Sequence, residues 1–124
     1  MQLCPPVETF GVLGDPVRRR ILELLATGEQ PAGDVAAAIQ GEFGLTQPAV
    51  SRHLRVLREN GFATVRSAGT RRLYGLDGTG LDPAQEWLAD LRGQWSRRLD
   101  AIETELARGR RRIPTTSTRE EHAA

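Results

Sequence analysis

This chain of 124 residues contains no lysine, and all 17 of its basic side chains are arginine. A GC-rich genome is the plainest explanation of that bias. Arginine is also the better bidentate partner for phosphates and guanine edges. A single cysteine, Cys4, excludes an internal disulfide framework and suits a reducing cytosol. Cys4 alone could act in redox chemistry only through oxidation or an intermolecular disulfide, and an inert thiol is the plainer reading. Aromatic residues make up only 5% of the chain. No apolar run approaches the ~20 residues a membrane-spanning helix needs. The start, "MQLCPPVETF", lacks a basic region followed by an apolar stretch, so no signal peptide is expected. The chain therefore reads as soluble and cytoplasmic. A glycine-rich phosphate loop and a Ser-His-Asp motif are also missing, so neither an enzyme nor a bound cofactor is expected.

What is present is a segregation of charge. The formal net charge is +1, but residues 46–75 carry 6 Arg against 1 acid. Residues 1–45 carry 3 Arg against 6 acids, and 76–107 carry 3 Arg against 7 acids. Residues 108–124 turn basic again, with 5 Arg against 2 acids. A basic segment between acidic flanks marks a place where a polyanion could dock.

Apolar spacing divides the chain into elements. Val7 to Leu13 reads as a short helix. Asp15-Pro16 is an N-cap followed by proline at the first helical position, and Val17, Ile21, Leu24 and Leu25 follow at helical spacing up to Gly28. Pro31 opens a helix with Val35, Ile39 and Phe43 on one face and Gly44 at its end. Thr46 caps a further helix that reaches about Asn60, where Asn60-Gly61 stops it. "FATVRSAGTRRLYGL" reads as a β-hairpin around Ser67 to Thr70, and Asp77 to Gly80 as a loop. Asp82-Pro83-Ala84-Gln85 is a capping box that opens a last helix running to about Arg108. The rest is poor in apolar residues. Residues 1–109 are thus expected to form one domain and 110–124 a disordered basic tail. The fold class is mainly α with a small β-hairpin: two helices joined by a tight turn, then a wing, then a long C-terminal helix.

At about 100° per residue, Val50, Leu54 and Leu57 fall within roughly 60° of one another and form the packing side of the 46–60 helix. Ser51, Arg52, Arg55 and Glu59 fall on the opposite half, with Gln47 and Arg58 at the border. A helix of this kind offers guanidinium, amide and hydroxyl groups to base edges in a DNA major groove. Arg66, Arg71 and Arg72 follow on the hairpin. The expected DNA-binding residues are Thr46, Gln47, Ser51, Arg52, Arg55, Arg58, Arg71 and Arg72. Gln47, Ser51 and Arg52 would read bases; Arg55, Arg58, Arg71 and Arg72 would bind backbone or minor groove. His53, at the edge of the apolar face, reads as a packed histidine hydrogen-bonded to backbone, with a base contact as the second reading. A second reading keeps the same arginines for an acidic protein partner.

The last helix carries Leu88, Leu91, Trp95, Leu99, Ile102 and Leu106 in a band roughly 80° wide. A helix of about 26 residues is some 39 Å long, more than a core this small can cover. Pairing with a symmetry mate is expected, with Trp87 and Trp95 as anchors beside the leucines. Recognition helices would then meet successive major grooves of double-stranded DNA about 34–36 Å apart.

"LGDPVRRRILELLATGEQPAGDVAAAI", "GLTQPAVSRHLRVLRENGF" and "GTRRLYGL", in that order, resemble the ArsR/SmtB family of winged helix-turn-helix transcriptional regulators. The resemblance spans about residues 7–108, and Thr46 to Gly61 is its most specific part. It implies a homodimer held by the first and last helices. It also implies repression through a palindromic operator, with release by a ligand or signal that the sequence does not identify. Two departures stand out. Gln40 to Phe43 are extra relative to the family pattern and should lengthen their helix by one turn, keeping Phe43 in phase with Ile39. The family's metal sites are also missing. "PAGDVAAAI" has no cysteine, the last helix has no histidine, and Cys4, His53 and His122 are scattered, so no metal is expected.

Overall fold

The computed structural model describes the backbone of residues 7–123 and the side chains of residues 9–110. Cys4 lies outside the described residues, and so does the side chain of His122. The element order is α1 (Val7–Leu13), α2 (Pro16–Leu25), β1 (Gln30–Pro31), α3 (Ala32–Phe43), α4 (Gln47–Glu59), β2 (Ala63–Ala68), β3 (Arg71–Leu76), a 3₁₀ turn (Gly78–Leu81) and α5 (Asp82–Ala123). No described helix is long and apolar enough to cross a membrane.

Residues up to Trp87 form one compact unit. Its core is built from one face of each helix: Val12 of α1, Val17, Ile21, Leu22 and Leu25 of α2, Val35, Ala36 and Ile39 of α3, and Val50, Leu54 and Leu57 of α4, closed by Phe62, Ala63 and Tyr74. Leu22, which the spacing argument passes over, is buried, while Leu24 is only partly so. The caps are those the sequence announces. Asp15 Oδ1 accepts from the amides of Val17 (2.8 Å) and Arg18 (3.3 Å). Gly44 ends α3 in the left-handed region at φ 69°, a conformation that costs glycine no Cβ clash. The extra turn of α3 forms as expected, but Phe43 on it is 39% exposed. What holds that turn is polar: Arg20 of α2 reaches Glu42 (Nε to Oε1, 2.9 Å) as well as Glu23 (Nη1 to Oε1, 3.3 Å).

Three features depart from the sequence reading. The hairpin is part of a three-stranded antiparallel sheet in the order β1-β3-β2, because Gln30 and Pro31 pair with Tyr74 and Leu73. Pro31 is therefore the residue before α3, at its N-cap, and not its first helical residue. The capping aspartate ahead of the last helix is Asp77, not Asp82. Asp77 Oδ1 accepts from the Thr79 amide (3.0 Å) and hydroxyl (2.7 Å), and Asp82 is already helical. These two bonds hold the Asp77 carboxyl below its ordinary range.

Residues from Leu88 onward form the second unit, which is helix alone. α5 keeps a helical backbone to Ala123, past the stop near Arg108 and through the stretch read as a disordered tail. Ala107, Arg108 and Arg110 to Arg112 are strong helix formers and favour a helix past Gly109, whereas Pro114 and Thr115 to Thr118 oppose one.

Candidate nucleic-acid interface

α3 and α4 are joined by Gly44, Leu45 and Thr46. The Thr46 hydroxyl oxygen accepts from the Ala49 amide (3.3 Å) and caps α4. Pro48 sits in the first turn, where its missing N–H costs no helical bond. At the far end, the Phe62 amide donates to the Leu57 carbonyl (2.8 Å) and the Gly61 amide to Arg58 (3.2 Å). With Gly61 at φ 80°, this is a Schellman stop whose next residue, Phe62, plugs the core. The stop fixes the angle at which α4 hands over to β2. β2 and β3 are then paired from Ala63↔Leu76 to Ala68↔Arg71, leaving Gly69-Thr70 as a two-residue turn with Gly69 at φ 64°.

The nine arginines before Trp87 divide into two groups. Arg18 donates to the carbonyls of Val12 (Nε, 3.0 Å) and Gly11 (Nη2, 3.1 Å), and Arg19 donates to that of Leu13 (2.8 Å), so both satisfy the end of α1. Arg20 is paired with Glu42 and Glu23. Arg66 forms a fork with Glu29: Nε lies 3.0 Å from both carboxylate oxygens and Nη2 lies 2.8 Å from Oε1. Those hydrogen bonds lower the Glu29 pKa and raise that of Arg66. Arg52, Arg55, Arg58, Arg71 and Arg72 are exposed and have no carboxylate partner among the described residues.

Four of these five converge. Ser51, Arg52, Arg55 and Arg58 of α4 line an open groove of about 490 Å³ with Arg72 and Tyr74 of β3; Ala32, Pro48 and Leu54 complete it. Thr46, Gln47 and Arg71 are exposed but do not line it. The pairing register explains the split on the wing. Arg72 and Tyr74 share a face with their partners Ser67 and Val65, whereas Arg71 shares the other with Ala68. Tyr74 was missed at the sequence level, although the i, i+2 spacing on a strand signals that it accompanies Arg72. His53 is half-buried, and its ring makes no hydrogen bond among the described residues, so the expected backbone bond is absent.

Trp87 is half-buried and meets Phe10 of α1 edge-to-face, with ring centroids 5.4 Å apart. Leu88, Leu91, Trp95, Leu99, Ile102 and Leu106 are all exposed, between 43% and 58%. No group of three or more His, Cys, Asp or Glu side chains suited to a metal ion occurs among the described residues.

A capped helix-turn-helix whose second helix runs through a fixed stop into a two-stranded wing defines the class of winged helix-turn-helix proteins. A helix-turn-helix domain family matches residues 13–66. The HTH-type transcriptional regulator Rv2034 of Mycobacterium tuberculosis is 39% identical over 94 residues, which cover 76% of this chain and 81% of that protein. The transcriptional repressor SdpR of Bacillus subtilis is 33% identical over 79 residues, 64% of this chain and 83% of that one. A similar solution structure is the homodimeric winged helix-turn-helix DNA-binding domain Mb0332 of Mycobacterium bovis, a possible ArsR-family transcriptional regulator. Its TM-score is 0.52 and its identity 28%, covering 70% of this chain and 76% of that one. The chain belongs to the ArsR/SmtB family of winged helix-turn-helix transcriptional regulators.

Proposed function

We propose that this chain is a homodimeric repressor acting in the cytoplasm, without catalytic activity, which binds a palindromic operator through α4 and the wing. The observation that carries the reading is the division of the arginines. Those on α2 and β2 are occupied by carbonyls and carboxylates, while Arg52, Arg55, Arg58, Arg71 and Arg72 are exposed without a carboxylate partner among the described residues. Gln47, Ser51 and Arg52, on the N-terminal half of α4, read base edges in the major groove. Thr46 sits at the helix start, where backbone amides favour a phosphate. Arg55, Arg58, Arg71 and Arg72 hold the backbone and its grooves. The exposed stripe from Leu88 to Leu106 pairs with its copy in a second chain, with Trp95 and Trp87 at the seam.

A duplex selected from random DNA by the protein supplies the test. Arg52→Ala should weaken binding to it by about 1–3 kcal/mol and relax selectivity at one position per half-site. Unchanged affinity and selectivity in Arg52→Ala would refute the reading role. Failure to select any sequence, with capture of acidic proteins instead, would favour the protein-interaction module.

A further inference from the structure

The wing's three arginines do different work. Arg66 is clasped by Glu29, and Arg71 is exposed on the face of the hairpin that carries Ala68. Arg72 alone faces α4. Its Cζ stands 5.8 Å from the centroid of the Tyr74 ring, and its Nη2 donates to the Tyr74 hydroxyl oxygen at 3.5 Å. Tyr74 is only 5% exposed and belongs to the core, so it is a rigid base for that guanidinium. Stacking on a fixed ring and bonding to a fixed oxygen both restrict a long side chain. They hold Arg72 over the groove. Across the same space stand Arg52, Arg55 and Arg58, and the lining holds no carboxylate. Four like charges around one groove repel one another unless an anion joins them.

We infer that this groove seats one backbone phosphate of the bound duplex, gripped from the helix side by Arg55 and Arg58 and from the wing by Arg72, with Tyr74 as the positioning residue for Arg72. The inference rests on the DNA-binding reading above and sharpens it: Arg72 works with the recognition helix, while Arg71 is left to serve the wing. Guanidinium forks suit this role because each can offer two N–H groups to a phosphate.

A phosphate scan on the selected duplex tests it, replacing one phosphate per half-site at a time by a neutral methylphosphonate. At one position the wild type should lose about ten-fold in affinity, the order of a charged hydrogen bond. At that same position both Arg72→Ala and Arg55→Ala should lose markedly less. If the two variants become insensitive at different phosphates, the clamp is wrong. Tyr74→Phe keeps the ring and removes the acceptor. It should weaken binding about two- to ten-fold in the wild-type background and not at all when combined with Arg72→Ala. An equal loss in both backgrounds would overturn the positioning role, and an unchanged melting temperature shows that the variant is folded. Arg52→Ala separates the two levels of failure. Loss of binding in Arg52→Ala, with distinct phosphates for Arg55 and Arg72, sinks only the clamp. No loss in Arg52→Ala and at no phosphate sinks the DNA-binding reading with it.

Discussion

Replacing Trp95 by alanine is the sharpest perturbation of the proposed dimer. Trp95 is 55% exposed on α5, so it contributes little to its own protomer's stability. A tryptophan side chain covers about 150–250 Å², which leaves on the order of 100 Å² for a partner to bury. At about 25 cal/mol per Å² that is roughly 2.5 kcal/mol per copy. A two-fold interface uses the same residue twice, so one substitution removes about 5 kcal/mol from the dimer. Each 1.4 kcal/mol is ten-fold, and the dimer dissociation constant should rise by about three to four orders of magnitude. Sedimentation equilibrium from nanomolar to tens of micromolar protein reads this directly. The helical circular dichroism should persist, because the core lies in the unit before Leu88. A dissociation constant that does not move, or a wild type that stays monomeric throughout that range, would refute the assignment of the stripe.

Three further substitutions probe the frame that presents the interface. A Cβ at Gly80 would stand 2.7 Å from the Gly61 carbonyl carbon and 2.9 Å from Phe62 Cα. Backbone must therefore move, and Gly80→Ala should cost about 1–3 kcal/mol in a thermal or urea melt. Gly78→Ala, where nothing lies within 4 Å, serves as the neutral control. Asp15→Ala removes the cap of α2 and should lower stability by about 1 kcal/mol in the same melts. Arg66 holds the Glu29 carboxyl below its ordinary range. The fork is therefore complete at neutral pH and is lost as pH falls through that lowered value. The Arg66 Nε resonance should track this loss, and Glu29→Gln should abolish the pH dependence while speeding hydrogen exchange in β2.

Local chemistry made most of the fold legible. Asp15, Gly44, Thr46 and Gly61 act within a few residues of where they stand, and each does in the structure what its type and position suggest. β1 was not legible. It is two residues long, one of them proline, and exists only because β3, more than forty positions later, offers its edge. Beyond Arg108 the chain is polar, and Pro114 with Thr115 to Thr118 interrupts the arginines, so its composition argues against a packed core without marking where α5 ends. Phe43 shows the limit of phase arguments. It falls in register with Val35 and Ile39, yet those two are fully buried and Phe43 is exposed, because the extra turn carries it to the end of the helix.

The candidate interface shows why counting charges locates a surface without identifying its members. The sequence assigns a basic character to residues 46–75, and Arg66 belongs to that segment as much as Arg72 does. What separates them is a partner 37 positions away: Glu29 occupies Arg66, and Tyr74, two positions along the same strand, directs Arg72. The Arg18–Arg20 run is the converse case. It is the densest basic cluster before residue 108, yet its guanidinium groups are occupied by α1 carbonyls and by Glu42 and Glu23. An anion approaching this unit would therefore meet less usable charge on α2 than composition implies and more between α4 and β3. If that is the governing asymmetry, Glu42→Gln, which releases part of Arg20, should raise binding to random DNA without changing the selected motif. A changed motif would mean that the α2 arginines take part in reading after all.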